Sequence, residues 1–335
     1  MSEATTQPLR IWGWAADSSG CQAYRIRFPF MAMKEMDPTL VLGIGTTIRP
    51  EAKELADVII GQRVCMKGPS SLWVRWAKEG QKKLVYELDD DLWNIDPSNE
   101  RAYYYFNDRD LQRRLLENIK LAHVVTVSTP ELAEMVWEKT RHPNIHVIPN
   151  AVPAWLTDHE PGQNHHVGWG GSPTHHGDFG LLRQGMKKFL QHNPDKTFHT
   201  IGMDYAEWMK LPKGQCVHTP WVPTPEDFFR TIDYLVGVAP LADTVFNRSK
   251  SDIKFLELAA LGIPTLASDV APYRSIKDGD TGVLIKNDHE WGRTLKATVD
   301  EPETFHEMGE RARQYVVENR TTTHTAPMWY NAITS

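Results

Sequence analysis

One stretch constrains this chain more than any other, Phe246 to Ser268, which reads FNRSKSDIKFLELAALGIPTLAS. It divides into a basic loop, a short helix, a stop and a buried strand. Ser251 or Asp252 can cap the helix at its start, and Gly262 with Pro264 ends it. Ile253, Phe255, Leu256, Leu258, Ala259, Ala260 and Leu261 make the helix apolar nearly all round, the pattern of a helix that is buried rather than laid on a surface. Lys250, Lys254 and Glu257 recur at i, i+4 and i+7, so they form one narrow polar stripe. Unpaired buried charge is costly, and the stripe is therefore expected to face a cleft.

The residue types in the stripe point to a class of ligand. A helix N-terminus offers free N–H groups and a positive dipole end, which suits phosphate. Arg248, Lys250 and Lys254 add cations at that end, and Glu257 can accept hydrogen bonds from sugar hydroxyls. Cations beside a hydroxyl acceptor fit a nucleoside diphosphate-sugar. The plainer alternative is a salt-bridged helix in which Lys254 pairs with Glu257, which leaves Arg248 and Lys250 without a role.

At 335 residues the chain suggests two domains. The N-terminus shows no basic-then-apolar leader pattern, and no apolar run is long enough to span a bilayer. Cys21, Cys65 and Cys216 are scattered and odd in number, fitting neither a disulfide framework nor a zinc spacing, so a reducing cytoplasm is expected. Neither half is basic, which argues against a dedicated nucleic-acid binder.

Taken in order, the chain alternates strand and helix, the mark of an α/β architecture. Leu9–Trp14 reads as a first strand, followed by a small-residue loop in which Gly20 lets a ligand approach the backbone. That loop lacks a full dinucleotide fingerprint. Tyr24 and Arg25, at the start of the next helix, are candidates to reach an acceptor, with surface packing as the alternative. Residues 83–88 read as a strand that delivers Asp89, Asp90 and Asp91 at its carboxyl end, where ligands of open α/β sheets bind. The run can be a metal site, a metal-free group that orients acceptor hydroxyls, or a cap. The second reading is preferred here, with Asp90 or Asp91 in that role. Residues 63–83, with Lys67, Trp73, Arg75, Trp76, Lys78, Lys82 and Lys83, are basic and aromatic. They read as an amphipathic helix with a solvated face, or as a nucleic-acid contact. After the linker Pro149–Pro153 the alternation restarts. Gly170, Gly171 and Ser172 are candidates to present N–H groups to a phosphate. His165, His166, His175 and His176 match no zinc spacing and are read as solvated loop residues.

These residues carry a resemblance. Ala239-Pro240-Leu241-Ala242-Asp243, Phe246-Asn247, Lys250-Ser251, Lys254, Glu257, Gly262-Ile263-Pro264, Ala267-Ser268 and Pro272-Tyr273 follow one another as in the GT-B-fold glycosyltransferases of the group 1/family 4 kind. The first half is similar more loosely, through Gly20, Tyr24-Arg25, Asp89 to Trp93, Ser128-Thr129-Pro130 and Pro149-Asn150. Such transferases occur in surface-glycan clusters and some bacteriophage genomes. The resemblance implies two Rossmann-like domains facing each other across a cleft. Residues 1–150 would bind the acceptor, 151–320 the nucleotide-sugar, and 321–335 would form a helix packing back on the first domain. It implies no metal and no cofactor beyond a UDP- or GDP-sugar co-substrate. Glu257 matches the second glutamate of the family's E-x7-E motif, which binds ribose. The first should fall at position 249, where this chain has Ser249. Either another carboxylate, such as Asp243, or backbone groups supply that contact, or the sugar geometry differs, and Trp221, Val222 and Asn247 complete the expected donor side.

The reading that results is a retaining, metal-independent transferase that moves a sugar to an acceptor hydroxyl on a glycan, a protein or a hydroxymethylated DNA base. Arg248 and Lys250 stabilise the leaving diphosphate in this reading. The rivals are an epimerase or phosphorylase of the same fold, and a nucleotide-sugar-binding subunit with a degraded site.

Overall fold

The computed structural model describes residues 7–159 and 166–335, so His165 lies outside the described residues. The chain forms two compact units. The first is Met1–Trp93, Tyr104–Asn150 and Thr322–Ser335, and the second is Asn94–Tyr103 and Ala151–Thr321.

The first unit is built on a six-stranded parallel sheet. Its strands are β1 (Arg10–Trp14), β2 (Val41–Gly45), β3 (Val58–Gln62), β4 (Lys83–Leu88), β5 (Val124–Val127) and β6 (Ile145–Val147), in the order β2-β1-β3-β4-β5-β6. Parallel pairing needs long crossovers, and helices supply them. β3 is buried along its whole length, as a strand covered on both faces must be. Ile26, Phe30, Met33, Ile60, Val85 and Val124 form one core with Ala326, Trp329, Ala332 and Ile333 of the last helix, Thr322–Thr334. That helix belongs to the first unit although the sequence reaches it last. The segment after β1 is not a plain helix, because Ala23–Arg27 is wound as a π turn between two α segments.

The second unit repeats the plan. Its strands are β7 (His166–Gly171), β8 (Thr197–Gly202), β9 (Cys216–Pro220), β10 (Tyr234–Ala239), β11 (Thr265–Ser268) and β12 (Val283–Ile285), all parallel in the order β12-β11-β10-β7-β8-β9. The core includes Val167, Trp169, Phe179, Leu182, Phe198, Val236, Leu266 and Trp291. The central helix runs Ile253–Ala260, and Phe255 to Ala260 are all buried. Asp252 does not cap it with its side chain. Its carboxylate instead takes both Arg320 nitrogens at 2.7 and 2.8 Å and the Ser275 hydroxyl at 2.6 Å, which ties the helix start to the end of the helix Pro302–Asn319. Gly262 ends the central helix with φ at +68°, a left-handed conformation that favours glycine. Gly309 lies so close that a Cβ there would be 2.0 Å from the Gly262 carbonyl oxygen. Among the described residues no helix is long and apolar enough to cross a membrane.

Candidate functional site

In each sheet the chain runs outward on one side of a central strand and then restarts on the other. The reversal falls between β1 and β3 in the first unit and between β7 and β10 in the second. The crevice at the carboxyl ends of such strands is where open α/β sheets bind ligands, and it directs attention to the loops after β7 and β10.

A buried carboxylate that sequence reasoning passed over joins those two loops. Asp178, in the first turn of the helix His176–His192, is 5% exposed. It accepts from the Ala242 N–H at 2.8 Å and from Asn247 Nδ2 at 3.1 Å, and it pairs with His175 Nδ1 at 2.7 Å. Asn247 donates its other amide hydrogen to the Ala242 carbonyl at 2.9 Å, and Leu241 N–H bonds Ser268 Oγ at 2.9 Å. The loop that leads to the central helix is thus clamped to the start of the helix after β7 and to β11. Burial lowers the pKa of His175, Asp178 opposes that effect, and Lys250 and Lys254 add to it. The imidazole is therefore neutral near pH 7 and sits within the field of both lysines.

Of the expected polar stripe, Lys254 and Glu257 lie on the central helix, while Lys250 stands on the segment before its first turn. Lys254 Nζ donates to Glu257 Oε2 at 2.8 Å, with the lysine side chain 23% exposed and the glutamate 7%. The plainer sequence reading, a paired Lys254 and Glu257, is therefore what the side chains show. Lys254 Nζ also lies 5.5 Å from the centre of the Phe228 ring, and Lys250 Nζ 4.5 Å from that of Phe246. Arg248 is not part of the stripe. It makes a two-pronged pair with Asp243 at 2.6 and 2.9 Å, both side chains 55% exposed, so Asp243 is engaged at the surface. Ser249 is 2% exposed, and its hydroxyl is spent on the Phe246 carbonyl at 2.9 Å. It closes the Val245–Arg248 turn and does not line an open space. Gly170 and Gly171 lie inside β7, and packing accounts for them. A Cβ on Gly170 would be 2.5 Å from Phe228, and one on Gly171 would be 2.7 Å from Trp169. Ser172 alone stands past the strand end, with its hydroxyl 2.9 Å from that of Thr174. Trp221 is exposed and Val222 half-buried on the loop after β9.

In the first unit two expectations are corrected. Arg25 does not reach outward. It is 1% exposed, holds Glu87 at 2.6 and 3.2 Å, donates to the Ile148 carbonyl and Asn150, and lies 5.0 Å over Trp329. The π turn swings it inward, as an extra residue in a helical turn can do. Asp91 is fully buried and accepts the Trp93 N–H at 3.0 Å, a turn contact, rather than standing open at the strand end. Tyr24 packs edge-on to Phe28 at 5.5 Å. The residue that sequence reasoning missed is Arg63. It follows β3 in the left-handed region, with φ at 51°. It donates to Asp89 at 2.6 Å and Asp90 at 3.0 Å, and reaches Cys21 Sγ, beside Gly20, at 3.2 Å. The carboxyl ends of β1, β3 and β4 meet there, with Asp90 the more open of its two carboxylates at 26%. Trp73 and Trp76 are buried in the first unit, so these rings of the 63–83 stretch are not available to stack on bases.

No family model matches the sequence, and no curated protein matches it. Solved structures do resemble it. An α-glucosyltransferase in complex with UDP and a 13-mer DNA containing an HMU base aligns at TM-score 0.68 and 11% identity, over 98% of this chain and 100% of that one. HepE from Anabaena, in complex with UDP-glucose, aligns at TM-score 0.66 and 12% identity, over 97% and 99%. TarM aligns at TM-score 0.56 and 18% identity over 80% of this chain, which spans 58% of the TarM chain. The chain has the GT-B fold. Within that GT-B frame the Lys254–Glu257 pair, Lys250 and His175 gather at the switch point of the second unit, and Arg63 with Asp90 at that of the first.

Proposed function

We propose that this GT-B chain is a glycosyltransferase that moves a sugar from a nucleoside diphosphate, UDP in the first instance, to an acceptor hydroxyl. The observation that carries the reading is the paired Lys254 and Glu257 on a buried helix, with Lys250 on the segment just before it, beside the β7/β10 switch point. Buried charges are expensive to keep, and cations with a hydroxyl acceptor at a switch point suit a ribose and a diphosphate. The solved structures with UDP and UDP-glucose support that ligand class. In the proposed reaction Glu257 accepts from the ribose hydroxyls. Lys250 and Lys254 neutralise the diphosphate as negative charge develops on it, and neutral His175 completes the wall. Catalysis is then chiefly electrostatic. Transfer proceeds with retention, without a metal in the chemical step, and Asp90, held by Arg63, orients the acceptor. The acceptor is a hydroxyl on a glycan, a protein or a modified DNA base, and the free cysteines suit the cytoplasm.

The test is calorimetry with UDP and UDP-glucose, followed by transfer assays across a donor panel with and without EDTA. Glu257→Ala and Lys250→Ala should each weaken donor binding about tenfold or more, as the loss of a charge-assisted hydrogen bond does, with folding retained. Unchanged affinity in both variants would place the donor elsewhere. Activity restored only by added manganese would overturn the metal-free step. Binding without turnover of any donor would reduce the chain to a nucleotide-sugar-binding subunit.

A further inference from the structure

We propose that His166, His199 and Asp233 form a binding site for a divalent transition-metal ion, Zn2+ above all, at the amino-terminal edge of the second sheet. The three side chains come from neighbouring places in the sheet. His166 opens β7, His199 is the third residue of β8, and Asp233 immediately precedes β10. Register brings them together, since His166 lies opposite Thr197 on one side and Tyr234 on the other. The β7–β10 ladder slips between Tyr234 and Val236, and such irregularities re-aim the side chains beside them.

The donor geometry fits. One ligand atom from each residue lies within 4.8 Å of the others. His199 Nδ1 is 3.0 Å from Asp233 Oδ1, and His166 Nε2 is 3.8 Å from Asp233 Oδ2. Ligands on a tetrahedral zinc with arms of about 2.0–2.1 Å stand roughly 3.4 Å apart, so modest rotations close the set. Each ring also has its outward nitrogen held by a threonine hydroxyl. His166 Nδ1 is bonded to Thr197 Oγ1, and His199 Nε2 lies 2.9 Å from Thr219 Oγ1. Such outer partners fix the tautomer and aim the inner nitrogen at a metal. Two imidazoles and a carboxylate suit zinc rather than calcium or magnesium, and three protein ligands leave a fourth position for water.

This edge is the far end of β7 from the switch point. The six residues His166–Gly171 span roughly 16 Å at about 3.3 Å per residue. The ion would therefore pin the starts of β7, β8 and β10 and take no part in transfer. A bare hydrogen-bonded cap on the same strands is the competing account, and it binds no metal.

The experiment uses tag-free, full-length protein stripped with chelator and then titrated with Zn2+ by competition calorimetry and with Co2+ by absorption. The expected result is one strong site per chain, cobalt d–d bands of a low-coordinate nitrogen–oxygen site, and a Zn2+-dependent rise in Tm. Asp233→Asn and His199→Gln should each weaken Zn2+ by at least about tenfold, while UDP affinity stays at the wild-type value. Absence of a strong site in wild type, or Zn2+ affinity unchanged from wild type in both variants, overturns the proposal. If the variants fail to fold, the wild-type cobalt spectrum decides, and bands without imidazole character count against it. The inference does not rest on the transferase reading, because UDP binding tests that reading and metal binding tests this one.

Discussion

At the scale of single residues, the chain places its charges under strict account. Arg25 and Glu87 are both essentially inaccessible, and Thr126, Ile148 and Asn150 complete their partners. Removing one member strands the other. Arg25→Ala should cost about 3–5 kcal/mol, the usual penalty for an orphaned buried charge, measured as a shift in the urea midpoint. A loss below about 1 kcal/mol would mean that Glu87 takes up a proton at little cost. His175 makes the second case. Its folded pKa is depressed below the ordinary value of 6.5, first by burial and then by Lys250 and Lys254. A depressed histidine holds fewer protons when folded than when unfolded. Its contribution is therefore fully present above the unfolded value and is lost as pH falls through the folded one. His175→Asn keeps a donor toward Asp178 and cannot titrate. The variant should show a flatter fall of Tm between pH 7 and pH 5 than wild type, and parallel curves would assign the pH dependence to other groups.

At the scale of elements, helices are seated by glycines as much as by apolar faces. The carbonyl of Gly262 sits where a Cβ of Gly309 would be, 2.0 Å away. Gly309→Ala gains helix propensity, about 1 kcal/mol, but forces the two helices apart. Overpacking of this kind costs about 1–3 kcal/mol, so the net expectation is a Tm lowered by a few degrees in differential scanning calorimetry. A Tm at or above wild type would show that the helices shift freely. This contact also marks where sequence reading stops. The central helix, its end at Gly262 and the strand after it were legible from periodicity and breakers, because those signals are local. The Lys254–Glu257 pair was legible too, since i, i+3 neighbours share a face. Asp178 and Arg63 were not. Each works through partners more than 20 residues away, and no spacing rule encodes such contacts. Arg25 misled for the same reason, because its exposed-looking place hides a π turn.

At the scale of the whole molecule, the last stretch of sequence completes the first unit and not the second. Trp329 and Ile333, each 1% exposed, sit in one core with Ile11, Ile26 and Phe30, and the Trp329 ring carries the Arg25 guanidinium. Thr321, in contrast, bridges to Val152 within the second unit. Ending the chain at Thr321 should therefore strip the first unit of a core wall and leave the second with its own core intact. Each large apolar side chain that loses its cover forfeits about 1.5–3 kcal/mol, and the loss of Trp329 also uncovers Arg25 and Glu87. Hydrogen exchange read peptide by peptide gives the test. In the truncated chain, protection should collapse across β1, β3, β4 and β5 and persist in β7, β8, β10 and β11. UDP should still raise protection of the central helix, because the residues proposed to hold it all lie in the second unit. Uniform loss across both sheets would mean that the two units unfold as one, and the division of labour argued from their separate cores would then fail.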